Sequence, residues 1–311
     1  MNELHCVTGA LGFSGGYIAR HLLERGHDVR TLTGSPGRTH EFGDSIDIRP
    51  MDFDNPAELR ASLRGVRVLY NTYWVRFSKA GFSQADAVRN TRVLFAAACD
   101  AGVERIVHVS ITNPSVASPY EYFRGKAALE SALVETGLPH TILRPAVLFG
   151  GTDVLVSNIA WLLRTFPVFG IIGDGEYGLR PIHVDDLAAL AVRCGANRGT
   201  AVVDAVGPET FRYREFVRAI AAAIGRPARL VHLPRSLGLA CAAVLGWALR
   251  DVLLTAEEYD ALADNLLVTD SPSTGTTVFS DWLRGHGDAL GRRYTSEVAR
   301  HKNRSLSYAE L

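Results

Sequence analysis

The chain begins with an apolar segment that leads directly into a turn of spaced glycines. Residues 4–7 are predicted to form a strand, Gly9, Gly12 and Gly15 follow, and a helical pattern comes next, with Gly26 as its stop. Glycine lets the backbone approach phosphate groups closely, and the N-terminus of a helix offers free N–H groups with a partial positive charge. The order strand, glycine turn, helix is therefore the arrangement that a bound pyrophosphate requires.

Behind this first unit, predicted strands and helices alternate along the first half of the chain. The predicted strands lie at 28–33, 45–48, 66–70, 105–109 and 140–143, and the predicted helices lie at 56–63, 83–101 and 121–136. Strands that alternate with helices pair in parallel through right-handed crossovers. The sequence therefore predicts an α/β fold of the Rossmann type, with a doubly wound parallel sheet.

The pattern loosens after Gly150, which sets the predicted domain boundary. Residues 1–150 are predicted to be a dinucleotide-binding domain, to which residues 181–206 return with a helix at 185–194 and a strand at 200–206. Residues 151–180 and 207–311 are predicted to be a smaller, mixed C-terminal substrate lobe. Its predicted helices lie near 154–164, 213–224, 237–249 and 256–266.

Composition excludes several classes of function. The chain has 311 residues and a formal net charge of zero, so no basic excess indicates binding of nucleic acid. The basic residues between Arg292 and Arg304 are interrupted by Glu297 and are interpreted as a solvated helix end. No metal centre is expected, because no two histidines have the ligand spacing His-x-x-x-His.

The cysteines indicate the compartment. Cys6, Cys99, Cys194 and Cys241 are scattered without disulfide or metal spacing, which favours a reducing compartment and a cytoplasmic location. No signal peptide is expected, because the first predicted strand begins almost at Met1.

One apolar segment, 237–249, carries no charge before Arg250 and Asp251. It is shorter than the ~20 residues that a membrane span needs, so no stable membrane insertion is expected. A buried or lid-forming helix of the second lobe is the favoured interpretation. Docking of this helix onto a membrane surface or a partner subunit is the alternative.

The end of the second strand bears on the choice of nucleotide. Enzymes that use NAD usually carry an acidic residue there, whereas this strand ends in Thr33, Gly34 and Ser35, with Arg30 and Arg38 nearby. These residues favour a 2′-phosphate, hence NADP(H), with NAD(H) as the alternative. Asp52, after the third strand, is interpreted either as a contact for the adenine amino group or as a helix-entry cap.

A tyrosine and a lysine stand four residues apart on one predicted helix. Lys126 on the same helix face as Tyr122 would lower the pKa of the phenol, which makes Tyr122 a candidate proton donor or acceptor. Ser110 and Thr112 follow the fifth strand, and either hydroxyl could orient a carbonyl or alcohol. The alternative is a chance pair on a solvated helix face.

The glycine turn also fits a different motif. Residues 12–16 match the G-x-S-x-G elbow of serine hydrolases, with Ser14 as the nucleophile. That elbow normally lies later in the sheet. Although His232, His286 and His301 follow, none has a motif around it, so this interpretation is disfavoured.

Over about residues 1–206 the chain resembles the short-chain dehydrogenase/reductase superfamily, in its extended or atypical branch. Five sequence features occur in the order typical of that superfamily. They are the turn Thr8-Gly9-x-x-Gly12-x-x-Gly15, Asn90 ahead of AGVERIVHVS, the hydroxyl at Ser110 or Thr112, with Thr112 preferred, the pair Tyr122-x-x-x-Lys126, and the segments LRPAVLFG and PIHVDDLA. The resemblance implies that Tyr122 is the general acid/base and that Lys126 binds the nicotinamide ribose. The cofactor contacts taken from the residues and from this resemblance together are Gly9, Leu11, Gly12, Phe13, Gly15, Gly34, Ser35, Arg38, Asp52, Lys126, Pro145 and Val147.

The residues after the fourth strand depart from the pattern of the extended enzymes. Bulky Tyr73 and Trp74 stand where small residues usually face the cofactor, as in the atypical members that resemble complex I accessory subunits or NmrA. Tyr73, Trp74 and Arg76, with Phe77 beside them, are hypothesised to line the substrate mouth. Packing under a loop is the alternative for the first two.

These observations predict an NADP(H)-dependent oxidoreductase that acts on a small carbonyl or alcohol by hydride transfer. The alternatives are a non-catalytic NAD(P)H-binding regulatory or assembly module and a nucleotide-sugar epimerase. The expected partner is a small-molecule substrate, with a homodimer as a further expectation from the family.

Overall fold

The structure is a computed structural model that describes residues 2–78, 82–308 and 310. Its strands, in chain order, are β1 (Leu4–Thr8), β2 (Asp28–Thr33), β3 (Ile46–Pro50), β4 (Val66–Asn71), β5 (Arg105–Val109), β6 (His140–Pro145), β7 (Val147–Phe149), β8 (Phe169–Ile172), β9 (Gly178–Leu179), β10 (Pro181–His183), β11 (Ala201–Ala205), β12 (Phe211–Arg212) and β13 (Leu230–Leu233). Its α-helices are α1 (Phe13–Glu24), α2 (Pro56–Ser62), α3 (Gln84–Ala101), α4 (Glu121–Glu135), α5 (Leu155–Thr165), α6 (Val184–Ala196), α7 (Tyr213–Ala223), α8 (Arg235–Leu249), α9 (Ala256–Ala263), α10 (Phe279–His286) and α11 (Glu297–Lys302).

The chain divides into two compact units. The first unit comprises Met1–Pro145, Val184–Ala205 and Ser305–Ser307, and the second comprises Ala146–His183, Val206–Arg304 and Tyr308–Leu311. The first unit ends five residues before the predicted boundary at Gly150. The roles predicted for the two parts, dinucleotide binding and substrate binding, stay predictions.

A seven-stranded sheet forms the centre of the first unit. Its strand order is β11-β6-β5-β4-β1-β2-β3, and every adjacent pair is parallel. The chain runs outward from β1 through β2 and β3, then continues on the other side of β1 with β4. This reversal between β1 and β4 is the topological switch point of a doubly wound sheet. The predicted fold class, a Rossmann-type α/β fold, is confirmed.

Strands in the middle of this sheet are almost wholly buried because helices cover both of its faces. In β4 and β5 all but one residue of each strand is buried, as expected for a parallel sheet with no solvent-facing side. One core cluster includes Leu69 and Ile106 from these strands and Leu94 from α3. On this unit, α1 and α6 pack against each other.

Helix α3 shows how local sequence sets an element's bounds. Ser83 accepts from the N–H of Asp86 and the Asp86 carboxylate accepts from the N–H of Ser83, which completes a capping box. Gly102 ends the helix with φ 76°, in the left-handed region. These hydrogen bonds hold the pKa of Asp86 down at about 2.

The second unit has its own apolar core of aliphatic and phenylalanine side chains. The Phe279 ring contacts two other rings of this core. Its centroid lies 4.8 Å from that of Phe149 and 4.7 Å from that of Phe216. Three small sheets surround this core, in which β10 pairs with β7, β12 with β9, and β13 with β8. Arg180 is buried among them, and its Nε donates to the carbonyl of Gly207 at 2.8 Å.

Helix α8 is exposed, so the interpretation of segment 237–249 as a buried helix is wrong. Only Gly238 and Gly246 are buried in it, whereas Val244 is 68% and Trp247 is 83% exposed. Among the helices of the described part of the chain, none combines the length and the hydropathy that crossing a bilayer requires. Docking onto a membrane surface or a partner subunit stays a prediction.

The basic segment near the C-terminus also differs from expectation. Arg300 of α11 is 3% exposed, its guanidinium donates to the carbonyl of Thr152 at 2.6 Å, and it lies 4.8 Å from the ring centre of Tyr308. The interpretation of 292–304 as a wholly solvated helix end is therefore wrong for Arg300, because that residue binds backbone inside its own unit.

Candidate functional site

The candidate site is built from the carboxyl ends of neighbouring strands in the first unit. The glycine turn follows β1, residues 72–77 follow β4, Ser110 and Thr112 follow β5, and Tyr122 and Lys126 lie on α4. Ligands of open parallel sheets bind at this edge, beside the point where the strand order reverses. The topology thus brings the predicted residues of these segments to one edge of one sheet.

A backbone hydrogen bond between two of its glycines stabilises the glycine turn. Gly9 has φ +68°, a conformation that favours glycine, and its carbonyl accepts from the N–H of Gly12 at 2.9 Å. Gly12 is the N-cap of α1, Leu11 is buried and Phe13 is partly buried. A Cβ added to Gly15 would lie 2.3 Å from the oxygen of Gly9, so the helix approaches the turn more closely than any side chain allows.

Replacing Gly15 with alanine is expected to destabilise the fold by roughly 1–3 kcal/mol, because the new methyl group meets immovable backbone. Gly37→Ala is the matched control, since a Cβ there meets no atom within 4 Å and its φ lies outside the left-handed region. Urea unfolding of the three proteins checks this. Equal free energies of unfolding for wild type and Gly15→Ala would contradict the packing described.

A buried polar network connects the glycine turn to the next two strands. The Thr8 hydroxyl donates to Asn71 Oδ1 at 3.1 Å, and the Asn71 amide lies 3.0 Å from Nδ1 of His108. The N–H groups of Thr72 and Tyr73 donate back to the Thr8 hydroxyl at 2.8 and 3.1 Å. This network fixes the start of the segment after β4 against the first glycine. Sequence reasoning placed Thr8 in the glycine-turn motif but missed Asn71 and His108, because the contacts among these three residues depend on strand register.

The two arginines near the end of β2 both donate hydrogen bonds within the first unit. Arg30 donates from Nε to the Asp47 carboxylate at 2.7 Å and from Nη1 to the carbonyl of Ser62 at 2.8 Å. Arg38 is 6% exposed and donates to the carbonyl of Leu306 at 2.6 Å. Arg30 is thus held along the strand, whereas Arg38 is held by the chain's C-terminal segment.

Gly34, Ser35 and Asp52 lie in the loops that follow β2 and β3. The N–H of Ser35 donates to the hydroxyl of Thr33 at 3.1 Å, and a Cβ added to Gly34 would meet no atom within 4 Å. Asp52 is exposed and caps a turn, since it accepts from the N–H of Asp54 at 3.0 Å. The alternative of Asp52 as a helix-entry cap is wrong, because Asn55 is the N-cap of α2.

Trp74 lies against both members of the tyrosine–lysine pair. Its ring meets the Tyr122 ring edge-on at a centroid distance of 5.5 Å, and the Lys126 ammonium lies 4.5 Å from the Trp74 ring centre. Gly125 between them makes room, since a Cβ there would lie 2.8 Å from the indole. Tyr122 and Trp74 are half-buried, and the indole N–H has no hydrogen-bond partner among the described residues.

Lys126 is a buried cation. It is 2% exposed, and its ammonium donates to the carbonyl of Val109 at the end of β5, at 2.9 Å. Burial lowers the pKa of Lys126 from 10.5 to about 7, and the charge of Glu130 opposes this shift in part. Contact with the Trp74 ring offers the ammonium some compensation for its lost hydration.

Ser110 and Thr112 are both buried after β5. The Ser110 N–H donates to the carbonyl of Leu143 at 2.7 Å, while its hydroxyl is 2% exposed and has no hydrogen-bond partner in the described chain. The Thr112 N–H donates to the carbonyl of Pro145 at 3.0 Å. A buried hydroxyl without a partner is costly, so Ser110 is the better candidate to contact a ligand oxygen.

The remaining predicted residues lie further along the same segments or outside the unit. Tyr73 accepts through its hydroxyl from the Asn90 amide at 3.1 Å, and the carbonyl of Arg76 accepts from the Gln84 amide at 3.2 Å. Pro145 ends β6 in the first unit, whereas Val147 lies in β7, in the second.

The serine-hydrolase alternative gains no support from the late histidines. The structure places them in the second unit, where each has a partner: His232 the carbonyl of Gly173, His286 the carbonyl of Trp282, and His301 the carboxylate of Glu297. Ser14 belongs to the first unit, in α1.

Comparison with known proteins agrees with this architecture. A family model described as NAD(P)H-binding matches residues 9–159. The chain is 27% identical over 284 residues to the Arabidopsis thaliana protein named NADH dehydrogenase [ubiquinone] 1 alpha subcomplex subunit 9, mitochondrial. This match covers 85% of the chain and 71% of that protein.

Two solved structures resemble the chain over most of its length. One is a nucleoside-diphosphate-sugar epimerase from Staphylococcus aureus, at 17% identity and a TM-score of 0.74, covering 91% of this chain and all of that one. The other is triphenylmethane reductase from Citrobacter sp. complexed with NADP(H), at 18% identity and a TM-score of 0.72, covering 92% and 99%. At these identities the likeness establishes the fold.

Proposed function

We propose that the chain is a member of the NAD(P)-binding short-chain dehydrogenase/reductase superfamily, in its extended or atypical branch, and that it is an oxidoreductase. The proposed reaction is NADP(H)-dependent hydride transfer to or from a small carbonyl or alcohol. The observation that carries the proposal is the Lys126 ammonium, which binds the carbonyl of Val109 at the end of β5, directly before Ser110. The Ser110 hydroxyl has no hydrogen-bond partner among the described residues, and Tyr122 lies one helical turn before Lys126 on α4.

The glycine turn and the N-terminus of α1 would hold the pyrophosphate of a bound dinucleotide, and this dinucleotide would supply the hydride. In the reductive direction, the Tyr122 hydroxyl donates its proton to the substrate oxygen as that oxygen gains negative charge. Ser110 donates a hydrogen bond to the same oxygen and orients it. Lys126 stabilises the phenolate that remains until solvent returns the proton.

NADPH is expected to bind more tightly than NADH, because no acidic residue ends β2 and Arg38 stands in the loop behind it. Arg38→Ala is expected to weaken NADPH binding roughly 10–100-fold, because the variant loses one charge-assisted hydrogen bond to the 2′-phosphate. NADH binding should not change. Arg38 would exchange its hydrogen bond to the neutral carbonyl of Leu306 for the 2′-phosphate. Arg30→Ala is the control, because Arg30 would have to give up an ion pair with the Asp47 carboxylate.

Isothermal titration of both nucleotides against the three proteins measures this preference. A wild type that binds NADH as tightly as NADPH would contradict the NADP(H) preference, and tighter binding of NADH would identify NAD(H) as the cofactor instead. Mass spectrometry of the purified protein adds a distinct outcome: a tightly retained NAD would favour the nucleotide-sugar epimerase alternative.

A non-catalytic NAD(P)H-binding module of a larger assembly is the second candidate. Trp74 covers the ammonium of Lys126 and lies beside Tyr122, where small residues usually face the cofactor. The Arabidopsis relative is named as a subunit of NADH dehydrogenase, which fits such a role. Single-turnover oxidation of bound NADPH with a panel of aldehydes and ketones separates the two: turnover of any of them supports the enzyme, and none supports the module.

A further inference from the structure

Three metal-ligating side chains meet at the amino end of the central sheet, at the edge opposite to the glycine turn. They are Glu3, His5 and His27, and their ligand atoms all lie within 4.8 Å of one another. Strand register explains the cluster. Glu3 and His5 are two residues apart and share a face, and β1 pairs with β2 so that His5 faces Val29 and Leu4 faces Asp28. His27 therefore falls beside Glu3 on that same face.

The two ring nitrogens of His5 have different surroundings. Nδ1 lies 3.3 Å from the hydroxyl of Tyr70, whereas Nε2 is buried, has no hydrogen-bond partner in the described residues and lies 3.6 Å from a carboxylate oxygen of Glu3. Histidines that bind metals usually donate the N–H of one nitrogen to a neighbouring group and coordinate through the other. The positions of the two nitrogens allow this arrangement, because Nδ1 lies within hydrogen-bond distance of the Tyr70 hydroxyl, to which it would donate in the metal-bound tautomer, and Nε2 faces the cluster.

The other two ligands leave the cluster open to solvent. His27 is half-buried, with its ring centre 4.3 Å from that of His5, and the Glu3 side chain is 44% exposed. A cation already contacts Glu3: Arg67, whose guanidinium also lies 3.5 Å from Glu104. A metal ion would replace Arg67 at Glu3, and Arg67 would keep Glu104 as its partner.

We propose that Glu3, His5 and His27 form a binding site for a divalent transition metal ion, with Zn²⁺ as the preferred ion. Two imidazoles and one carboxylate are a donor set that Zn²⁺ takes, and a fourth position is left for water. The ion would satisfy the buried Nε2 of His5 and join the first two strands of the sheet. The sequence predicted no metal centre, because 22 positions separate the two histidines and no motif links them.

Binding is tested on the full, untagged chain after treatment with a chelator. Zn²⁺ is titrated by calorimetry, and Co²⁺ is titrated while its visible absorption is recorded, because tetrahedral nitrogen and oxygen ligation gives intense bands. One ion per chain with micromolar affinity is expected. His27→Ala and Glu3→Gln are each expected to weaken binding at least about tenfold, whereas His232→Ala, an exposed histidine elsewhere, leaves it unchanged.

A fourth variant gives an effect of opposite sign. Arg67→Gln removes the cation that competes for Glu3, so it is expected to bind Zn²⁺ several-fold more tightly than wild type. Circular dichroism establishes that each variant is folded. Absence of saturable binding to wild type, equal binding to His27→Ala, or unchanged or weaker binding to Arg67→Gln would each overturn the proposal.

Discussion

The Tyr122→Phe variant is expected to lose 10²–10⁴-fold in kcat, about the contribution of one positioned acid or base. The substitution removes a single oxygen. The ring keeps its edge contact with Trp74 and its contact with Phe123, so the surrounding packing is preserved. Affinity for NADPH should stay within about twofold, because a group that acts only in the transition state contributes little to binding of the cofactor.

Tyr120→Phe is the matched control for this prediction, since it makes the same chemical change two residues away, at the N-cap of α4. Its turnover should equal that of wild type. Steady-state oxidation of NADPH with the best substrate of the carbonyl panel provides the rates. Equal rates for Tyr122→Phe and wild type would exclude Tyr122 as the acid/base, and intact cofactor binding with no turnover in any variant would leave the non-catalytic module.

The sheet was predictable because its signals are local. The bounds predicted for β2 and β5 are those observed, and α3 begins and ends where its capping serine and its glycine predict. Strands covered on both faces are continuous apolar runs, which stand out from the amphipathic helices between them. Strand order then follows from the handedness and shortness of the connections.

The second unit was less predictable, because its elements are short. Strands such as β9 and β12 have two residues each, too few to show any period. The exposure of α8 was missed for a related reason. A helix that is apolar on every side carries no stripe that tells which face is covered.

The residues of the candidate site also differ in whether local sequence could predict them. Gly15, Tyr122 and Lys126 belong to motifs whose spacing is visible along the chain. Asn71 and His108 do not, since the hydrogen bonds that join them to Thr8 exist only when three strands lie side by side. The cluster of Glu3, His5 and His27 has the same origin. Groups that meet through register leave no local signal.

Lys126→Met is expected to stabilise the folded chain while it weakens binding of the dinucleotide. The side chain is 2% exposed, and burial lowers its pKa from 10.5 to about 7, so folding is opposed wherever the amine is charged in the unfolded chain. Methionine has a similar length without this cost. Allowing for the lost hydrogen bond to Val109, the gain at about pH 6 is roughly 2–4 kcal/mol.

The size of this effect depends on pH. Below about pH 7 both states of wild type carry the charged amine, so the folded state bears the full penalty, and this penalty fades as pH rises from about 7 to 10.5. The advantage of Lys126→Met should therefore be largest near pH 6 and vanish near pH 10. Urea unfolding at both pH values measures this difference in the free energy of unfolding. Lys302→Met, at an exposed lysine, is the control that changes the free energy of unfolding at neither pH.

A variant less stable than wild type at about pH 6 would show that contacts with Trp74 and Val109 outweigh the desolvation of the ammonium. A gain at pH 6 with weaker NADPH binding would mean that the chain keeps a destabilising buried lysine for its cofactor.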